Sequence, residues 1–225
     1  MIDAALLPLQ RRVLHPPARL LAALGVTADR ITVAGFVIGA LSLPALAIGL
    51  HGLALVLIGL NRLMDGLDGA VARLTGPTDR GAFLDIALDF VFYALVPLGF
   101  ALSDPAQNAL PAAVLIAAFV GSGSSFLAFA TIAAKRGLKA DAYRSKGIYY
   151  LSGLTEGAET IALFAAMCLL PDLFSVLAYG FAAACFVTSV TRLRLGWMAF
   201  DTEDNSSAHV KESAAAGPQA GAPAE

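Results

Sequence analysis

Between Ile31 and Met198 the chain repeats one pattern: a long apolar run, a short polar or Gly/Pro break, then another apolar run. The runs lie near 31–50, 52–74, 80–101, 110–134, 148–170 and 173–197. Each is long enough to cross ~30 Å of hydrocarbon as a helix, which takes roughly 20 residues. His51-Gly52, Gly76-Pro77, Asp104-Pro105, Arg136-Gly137 and Pro171-Asp172 mark the breaks. Residues 4–24 differ. Ala4, Leu6, Leu7, Leu9, Val13, Leu14, Leu20, Leu21 and Leu24 are interleaved with Arg11, Arg12 and Arg19. That stretch is too polar and too interrupted by proline to span, and it predicts a helix lying along the bilayer surface; the plainer alternative is a poorly ordered leader. Beyond Phe200 the composition turns to Ser, Ala, Gly and Pro with scattered charge, which predicts a disordered tail.

Composition agrees with the pattern. Of 225 residues, 58% are hydrophobic and 14% charged, against about 25% charged in a soluble domain, and mean hydropathy is +0.74. A soluble enzyme, a DNA-binding domain, a secreted disulfide scaffold and a disordered chain are all excluded. The net charge of −2 gives no basic field for nucleic acid. Cys168 and Cys185 lie inside apolar runs and read as buried packing residues. The N-terminus does not read as a cleavable signal peptide, since Asp3, Arg11, Arg12, His15 and Pro16-Pro17 come before any long apolar run.

Charge also orients the chain. Arg11, Arg12, Arg19 and Arg30 precede the first run; Arg62, Arg73 and Arg80 flank the turn after the second. Lys135, Arg136, Lys139, Arg144 and Lys146 crowd the turn after the fourth, and Arg192, Arg194 and Lys211 close the chain. With six spans every one of these falls on one side, while an odd count scatters them. The expectation is an all-α, multi-pass membrane protein of six transmembrane helices with both termini cytoplasmic. It divides into an amphipathic juxtamembrane segment at 1–30, a membrane domain at 31–198 and a cytoplasmic tail at 199–225.

Carboxylates within hydrocarbon are costly and usually functional. Asp65 and Asp68 are three apart in the second run, Asp85 and Asp89 four apart in the third, so each pair shares one helix face. Gly76-Pro77 turns the chain between them, and antiparallel helices bring all four acids together near the cytoplasmic end. Four ionised carboxylates at close range require a counter-charge. Hard oxygen ligands with open positions suit two divalent ions, Mg²⁺ or Mn²⁺. Gly69 and Ala72 stand one turn after Asp65 and Asp68, and Gly81 one turn before Asp85, leaving a groove beside the ions. Arg73, one turn beyond Gly69, carries a guanidinium fork suited to phosphate. Together these residues describe a diphosphate site. A helix-packing motif with solvated acids does not account for acids and glycines at matched spacing on both helices.

The run Asp65-Gly-Leu-Asp68-Gly69-Ala-Val-Ala72-Arg73, a seven-residue spacer, and Gly81-Ala-Phe-Leu-Asp85-Ile-Ala-Leu-Asp89 resembles the CDP-alcohol phosphotransferase signature DxxDGxxAR…GxxxDxxxD at all eight defining positions. The resemblance covers roughly 30–197, with six spans and the motif across the second and third. It implies that Asp65, Asp68 and Asp85 ligand the metals, with Asp89 at the second ion and acting as general base. Gly69, Arg73 and Thr78, with Ala72 and Gly81 beside them, would contact the CDP moiety. It also implies a homodimer. The expected reaction moves a phosphatidyl group from CDP-diacylglycerol to a small alcohol acceptor with release of CMP, at the cytoplasmic face. A CDP-linked choline- or ethanolamine-type donor reacting with diacylglycerol is the alternative within the same chemistry. From other classes, an intramembrane prenyltransferase lacks the DGxxAR run, and an ion-coupled transporter would show broken helices in both halves.

The segment Thr27-Ala28-Asp29-Arg30-Ile31-Thr32 departs from the Thr-Pro-Asn-x-x-Thr of many relatives, with Ala28 and Asp29 in place of proline and asparagine. Asp29 and Thr32 read either as nucleotide contacts or as helix N-caps. In the fifth run Glu156 and Glu159 share a face with Gly157 beside them. Relatives that use phosphorylated acceptors tend to carry arginines there, so the glutamates favour a neutral polyol or a cationic amino-alcohol. The alternative pairs them with Arg144 or Lys146. Tyr149, Tyr150 and Trp197 read as interface anchors, and Gly121-Ser-Gly-Ser-Ser125 as a close helix contact.

Overall fold

The computed structural model describes residues 2–136 and 157–215, and all of the regular structure among them is helical. In chain order the helices are α1 (Ile2–Ala23), α2 (Ala28–Ala40), α3 (Ser42–Ala47), α4 (His51–Thr75), α5 (Asp79–Ser103), α6 (Pro105–Lys135), α7 (Gly157–Leu169) and α8 (Phe174–Ala215), with a 3₁₀ turn at Pro171–Leu173. Among the described residues four stretches are long and apolar enough to cross a membrane: Ala28–Ala47, Asp79–Ser103, Pro105–Lys135 and Pro171–Asp201. They match the first, third, fourth and sixth expected runs. The second and fifth differ in physical character. Helix α4 has span length but carries Arg62, Asp65, Asp68 and Arg73, and α7 has 13 described residues.

The breaks have local causes. The first run is two helices because Pro44 has no N–H for the Ala40 carbonyl, and the chain relaxes at Leu41. Helix α1 ends at Gly25 (φ 73°), where Val26 N–H bonds the Leu21 carbonyl and Gly25 N–H that of Ala22. Gly49 (φ 78°) closes α3 with the same pair of bonds, from Leu50 to Ala45 and from Gly49 to Leu46. Helix α1 runs through Pro16-Pro17 as one element. Its Leu14 and Ala18 are buried with Ile31 of α2 and Ala70 and Val71 of α4. Helix α8 continues to Ala215, past the boundary expected at 198; residues 199–215 hold no Gly or Pro to stop it, and these first appear at Gly217-Pro218.

The main core lies between α3 and α8. Phe92, Val96 and Phe100 of α5 meet Leu115 of α6, Phe164 and Met167 of α7, and Phe174 and Ala178 of α8. Phe100 stacks on Phe174 at 4.5 Å, and Phe92 and Phe119 both meet Phe164 edge-on. Cys168 and Cys185 are buried in this core. The outer faces are apolar too: Val37, Leu41, Val56, Phe83, Val120, Val176 and Leu193 are exposed. A surface of that kind meets lipid, not water.

Small residues set the helix spacing. A Cβ at Gly35 would lie 2.7 Å from Met64 Cβ, and one at Gly39 would lie 2.9 Å from both Asn61 Nδ2 and Phe92 Cε2. Helix α2 therefore lies against both α4 and α5, which make few close backbone contacts with each other. Replacing Gly39 with alanine pushes atoms into a filled contact. It is expected to cost about 1–3 kcal/mol, read as a lowered melting temperature in detergent. Gly59→Ala, where a Cβ meets nothing within 4 Å, should leave the melt unchanged or slightly raised.

Candidate active site

The depth of the acids follows from the turn between α4 and α5. Gly76 (φ 99°) donates to the Ala72 carbonyl and ends α4, and Pro77 cannot continue it. Thr78 caps α5, its Oγ1 accepting from Gly81 N–H at 3.0 Å. Asp68 lies seven residues before the end of α4 and Asp85 six after the start of α5. At ~1.5 Å per residue both stand about 10 Å from the turn. Asp65 and Asp89 stand ten residues away on either side.

The four acids do converge. Asp65, Asp68 and Asp85 each offer an oxygen, and the three lie within 4.8 Å of one another. Asp68 is 6% exposed and takes a 2.5 Å hydrogen bond from Thr32 Oγ1 of α2. Asp89 completes the group across Arg62, whose Nη2 is 2.6 Å from Asp89 Oδ1 and 3.3 Å from Asp65 Oδ1. A void of about 10 Å³ is lined by Thr32, Asn61, Asp65, Asp68, Asp85 and Asp89 with Gly35, Phe36 and Leu88. It has the room of an ion and not of a nucleotide. Its donors are carboxylate oxygens, the set that Mg²⁺ and Mn²⁺ prefer, so the residues fit such a metal.

A larger cavity of about 470 Å³ opens beside this void, and Asp68 and Asp85 border both. Gly69, Ala72, Thr78, Gly81, Asp29 and Thr32 all line it, so these sequence-derived candidates gather on one hollow. A Cβ at Gly81 would come within 3.1 Å of Asp29 Oδ1 and Thr78 Oγ1, so those side chains would have to give by a few tenths of an ångström. Arg73 is exposed beside the hollow, its Nη1 3.3 Å from where a Cβ on Gly69 would stand. Helix capping does not explain Asp29 and Thr32: Thr27 occupies the cap position. Thr32 orients a carboxylate, and Asp29 pairs with Arg80, whose Nε and Nη2 reach Asp29 Oδ2 at 2.9 and 2.5 Å. Glu159 lies in the first turn of α7 and lines neither hollow. Glu156, with Tyr149, Tyr150, Arg144 and Lys146, lies outside the described residues.

Three residues escape the sequence reading. Arg62 reads in sequence as one of the basic residues flanking a turn, yet it sits one helical turn before Asp65 and belongs to the acid cluster; the i, i+3 spacing is the available signal. Asn61 bonds the Gly35 carbonyl at 3.1 Å and ties α2 to α4. Arg192 was counted among the charges closing the chain, yet it is 9% exposed, donates to the Ser122 carbonyl and Oγ at 3.1 and 3.2 Å, and lies over Phe126. It borders a third cavity of about 280 Å³ with Tyr93, Ser122, Gly123, Gly157 and Thr160.

The chain belongs to the CDP-alcohol phosphatidyltransferase family, whose model matches residues 25–194. It is a membrane transferase of phospholipid biosynthesis. It is 52% identical over 198 residues to inner membrane protein YnjF of Escherichia coli (strain K12), covering 88% of this chain and 96% of that one. It is 31% identical over 96 residues to the archaetidylinositol phosphate synthase of Pyrococcus horikoshii, covering 42% of this chain and 51% of that one. Crystal structures of the phosphatidylinositol phosphate synthase of Mycobacterium tuberculosis share the fold. The form with CDP-DAG bound superposes with a TM-score of 0.63 at 24% identity, over 83% of this chain and 94% of that one. The form with manganese and citrate gives 0.62 at 25% identity, over 82% and 88%.

Thr32 holds a carboxylate of the cluster through the hydrogen bond its hydroxyl donates to Asp68. Such orienting partners are worth about 10–100-fold in metal affinity. Thr32→Val should weaken Mn²⁺ binding by that factor while leaving the melting temperature of the metal-free protein close to wild type; titration calorimetry and a melt together check it.

Proposed function

We propose that this chain transfers a phosphatidyl group from CDP-diacylglycerol to the hydroxyl of a small alcohol and releases CMP. The observation that carries the reading is the meeting of Asp65, Asp68 and Asp85 within 4.8 Å at the border of a hollow walled by Gly69, Ala72, Thr78 and Gly81. A diphosphate needs cations on one side and space on the other, and these residues supply both. The family assignment and the neighbour crystallised with CDP-DAG support the choice of donor.

Asp65, Asp68 and Asp85 would hold one divalent ion, and Asp89 with Asp65 a second; the meeting of the first three acids and the neighbour in complex with manganese support a divalent cation here. When bound, the ions supply Lewis-acid stabilisation of the diphosphate and of the CMP leaving group. The side chains do the rest. Gly69, Ala72 and Gly81 admit the nucleotide, Thr78 and Asp29 line its walls, and Arg73 offers a cation to phosphate at the rim. Asp89 accepts the proton of the acceptor hydroxyl as its oxygen attacks the β-phosphorus, and the bond from that phosphorus to the CMP oxygen breaks.

Six crossings belong to the same proposal, with α4 as the second and the segment ending in α7 as the fifth. Basic residues then collect on one side, which puts both termini and the hollow at the cytoplasmic face. A homodimer, implied by the family resemblance, is part of the proposal as well. For the acceptor, Arg192 at the third cavity changes the weighing. A guanidinium there suits a phosphate as well as a hydroxyl, so polyols, amino-alcohols and their phosphates all enter the assay.

Purified protein supplied with Mn²⁺ and CDP-diacylglycerol should release CMP when one of these acceptors is added, and CDP-choline with diacylglycerol should not. The reverse preference overturns the donor assignment. Asp89→Asn should lower kcat by about 10²–10⁴-fold, the range of a positioned general base, with a far smaller change in KM for the donor. An unaltered kcat removes Asp89 from that role.

A further inference from the structure

We propose that Arg62 occupies the second cation position until a diphosphate arrives, so that the two divalent ions load in order and not together; this rests on the two-ion reading above. One nitrogen of Arg62, Nη2, touches acids from both helices, Asp89 at 2.6 Å and Asp65 at 3.3 Å. A cation shared by the same two oxygens would need ligand distances of about 2.1 Å, and it would stand where that nitrogen stands.

The guanidinium is not a loose surface group. Its side chain is 20% exposed, its Nε donates to Asn61 Oδ1 at 3.4 Å, and its Cζ lies 5.9 Å from the Tyr93 ring. Asn61 is fixed in turn by the Gly35 carbonyl, and Tyr93 by the rings of Phe92, Phe119 and Phe164. Arg62 is thus a positioning residue built into the floor of the site.

Asp65, Asp68 and Asp85 each offer an oxygen within 4.8 Å of the others, and Arg62 reaches this triad at Asp65, 3.3 Å away. One divalent ion there plus the guanidinium leaves a single negative charge on four ionised carboxylates. The drive to admit a second ion is then weak. A diphosphate reverses the balance: it adds negative charge beside Asp68 and Asp85, brings fresh oxygen ligands, and gives the guanidinium another anion to bond.

The test is a Mn²⁺ titration of purified protein without nucleotide, followed by electron paramagnetic resonance. Wild type should bind one ion, with a second weaker by about tenfold or more, the worth of a charge-assisted hydrogen bond. Arg62→Met removes the charge while keeping an apolar side chain of similar reach. It should bind two ions of comparable affinity and show exchange-coupled lines that wild type lacks, while Arg62→Lys keeps the wild-type pattern. Two equal ions in wild type, or an unchanged pattern in Arg62→Met, overturns ordered loading and leaves the two-ion site standing. If Arg62→Met does not fold, the wild-type titration still decides. Failure to bind any Mn²⁺ overturns the two-ion site itself.

Discussion

Placing four carboxylates inside an apolar helix bundle is the constraint on which the rest of this structure depends. Such groups cannot be left to repel one another in a medium of low dielectric. Specific partners answer them: Asp68 meets a hydroxyl from α2, Asp89 a guanidinium from α4, and Asp65 that same guanidinium from one turn away on its own helix. The arrangement specifies geometry more than it adds stability. Buried charges rarely repay their desolvation in full, and the stabilising burial lies elsewhere, in the phenylalanine-rich core between α3 and α8. Fold and site are thus separate tasks in one bundle.

That separation explains why α2 matters as much as the two motif helices. Helices α4 and α5 carry the acids but stand apart, which leaves room for ions between them. Something must hold them at that distance. Helix α2 does so through Gly35 and Gly39, where backbone meets Met64, Asn61 and Phe92 with no Cβ between. The same helix then delivers Thr32 to Asp68 and Asp29 to the rim.

Much of this was legible in the sequence, and for a physical reason. Acids three and four apart around a Gly-Pro turn can only face one another if both segments are helical, so spacing alone fixed which residues meet and at what depth. The motif identified the chemistry as well. Contacts between distant segments were not legible. Thr32 and Asp68 are 36 residues apart and Arg192 and Ser122 are 70 apart, and no periodicity links them. Arg62 and Arg192 were misread for a related reason. A positive charge near a helix end looks the same in sequence whether it snorkels to water or turns inward to an acid or a carbonyl. The break at Leu41 was missed because Pro44 lay inside a uniformly apolar run, where hydropathy registers no change.

Floor and rim of the hollow are built to different standards. On the floor, Asp68 and its hydroxyl partner are largely shielded from water, and Arg62 is held by an amide and a ring. At the rim the partners are exposed: Arg80, 84% exposed, pairs with Asp29, and Arg73 stands in the open. Exposed pairs of that kind contribute ~0–1 kcal/mol, so the Asp29–Arg80 contact opens at little cost. A transferase working between water and lipid needs both properties. Metal and reacting phosphorus demand positions fixed to fractions of an ångström, whereas a nucleotide must enter and leave once per turnover. In the proposed reaction rigidity lies where the bonds would change, and weak, solvent-screened contacts where the nucleotide would pass.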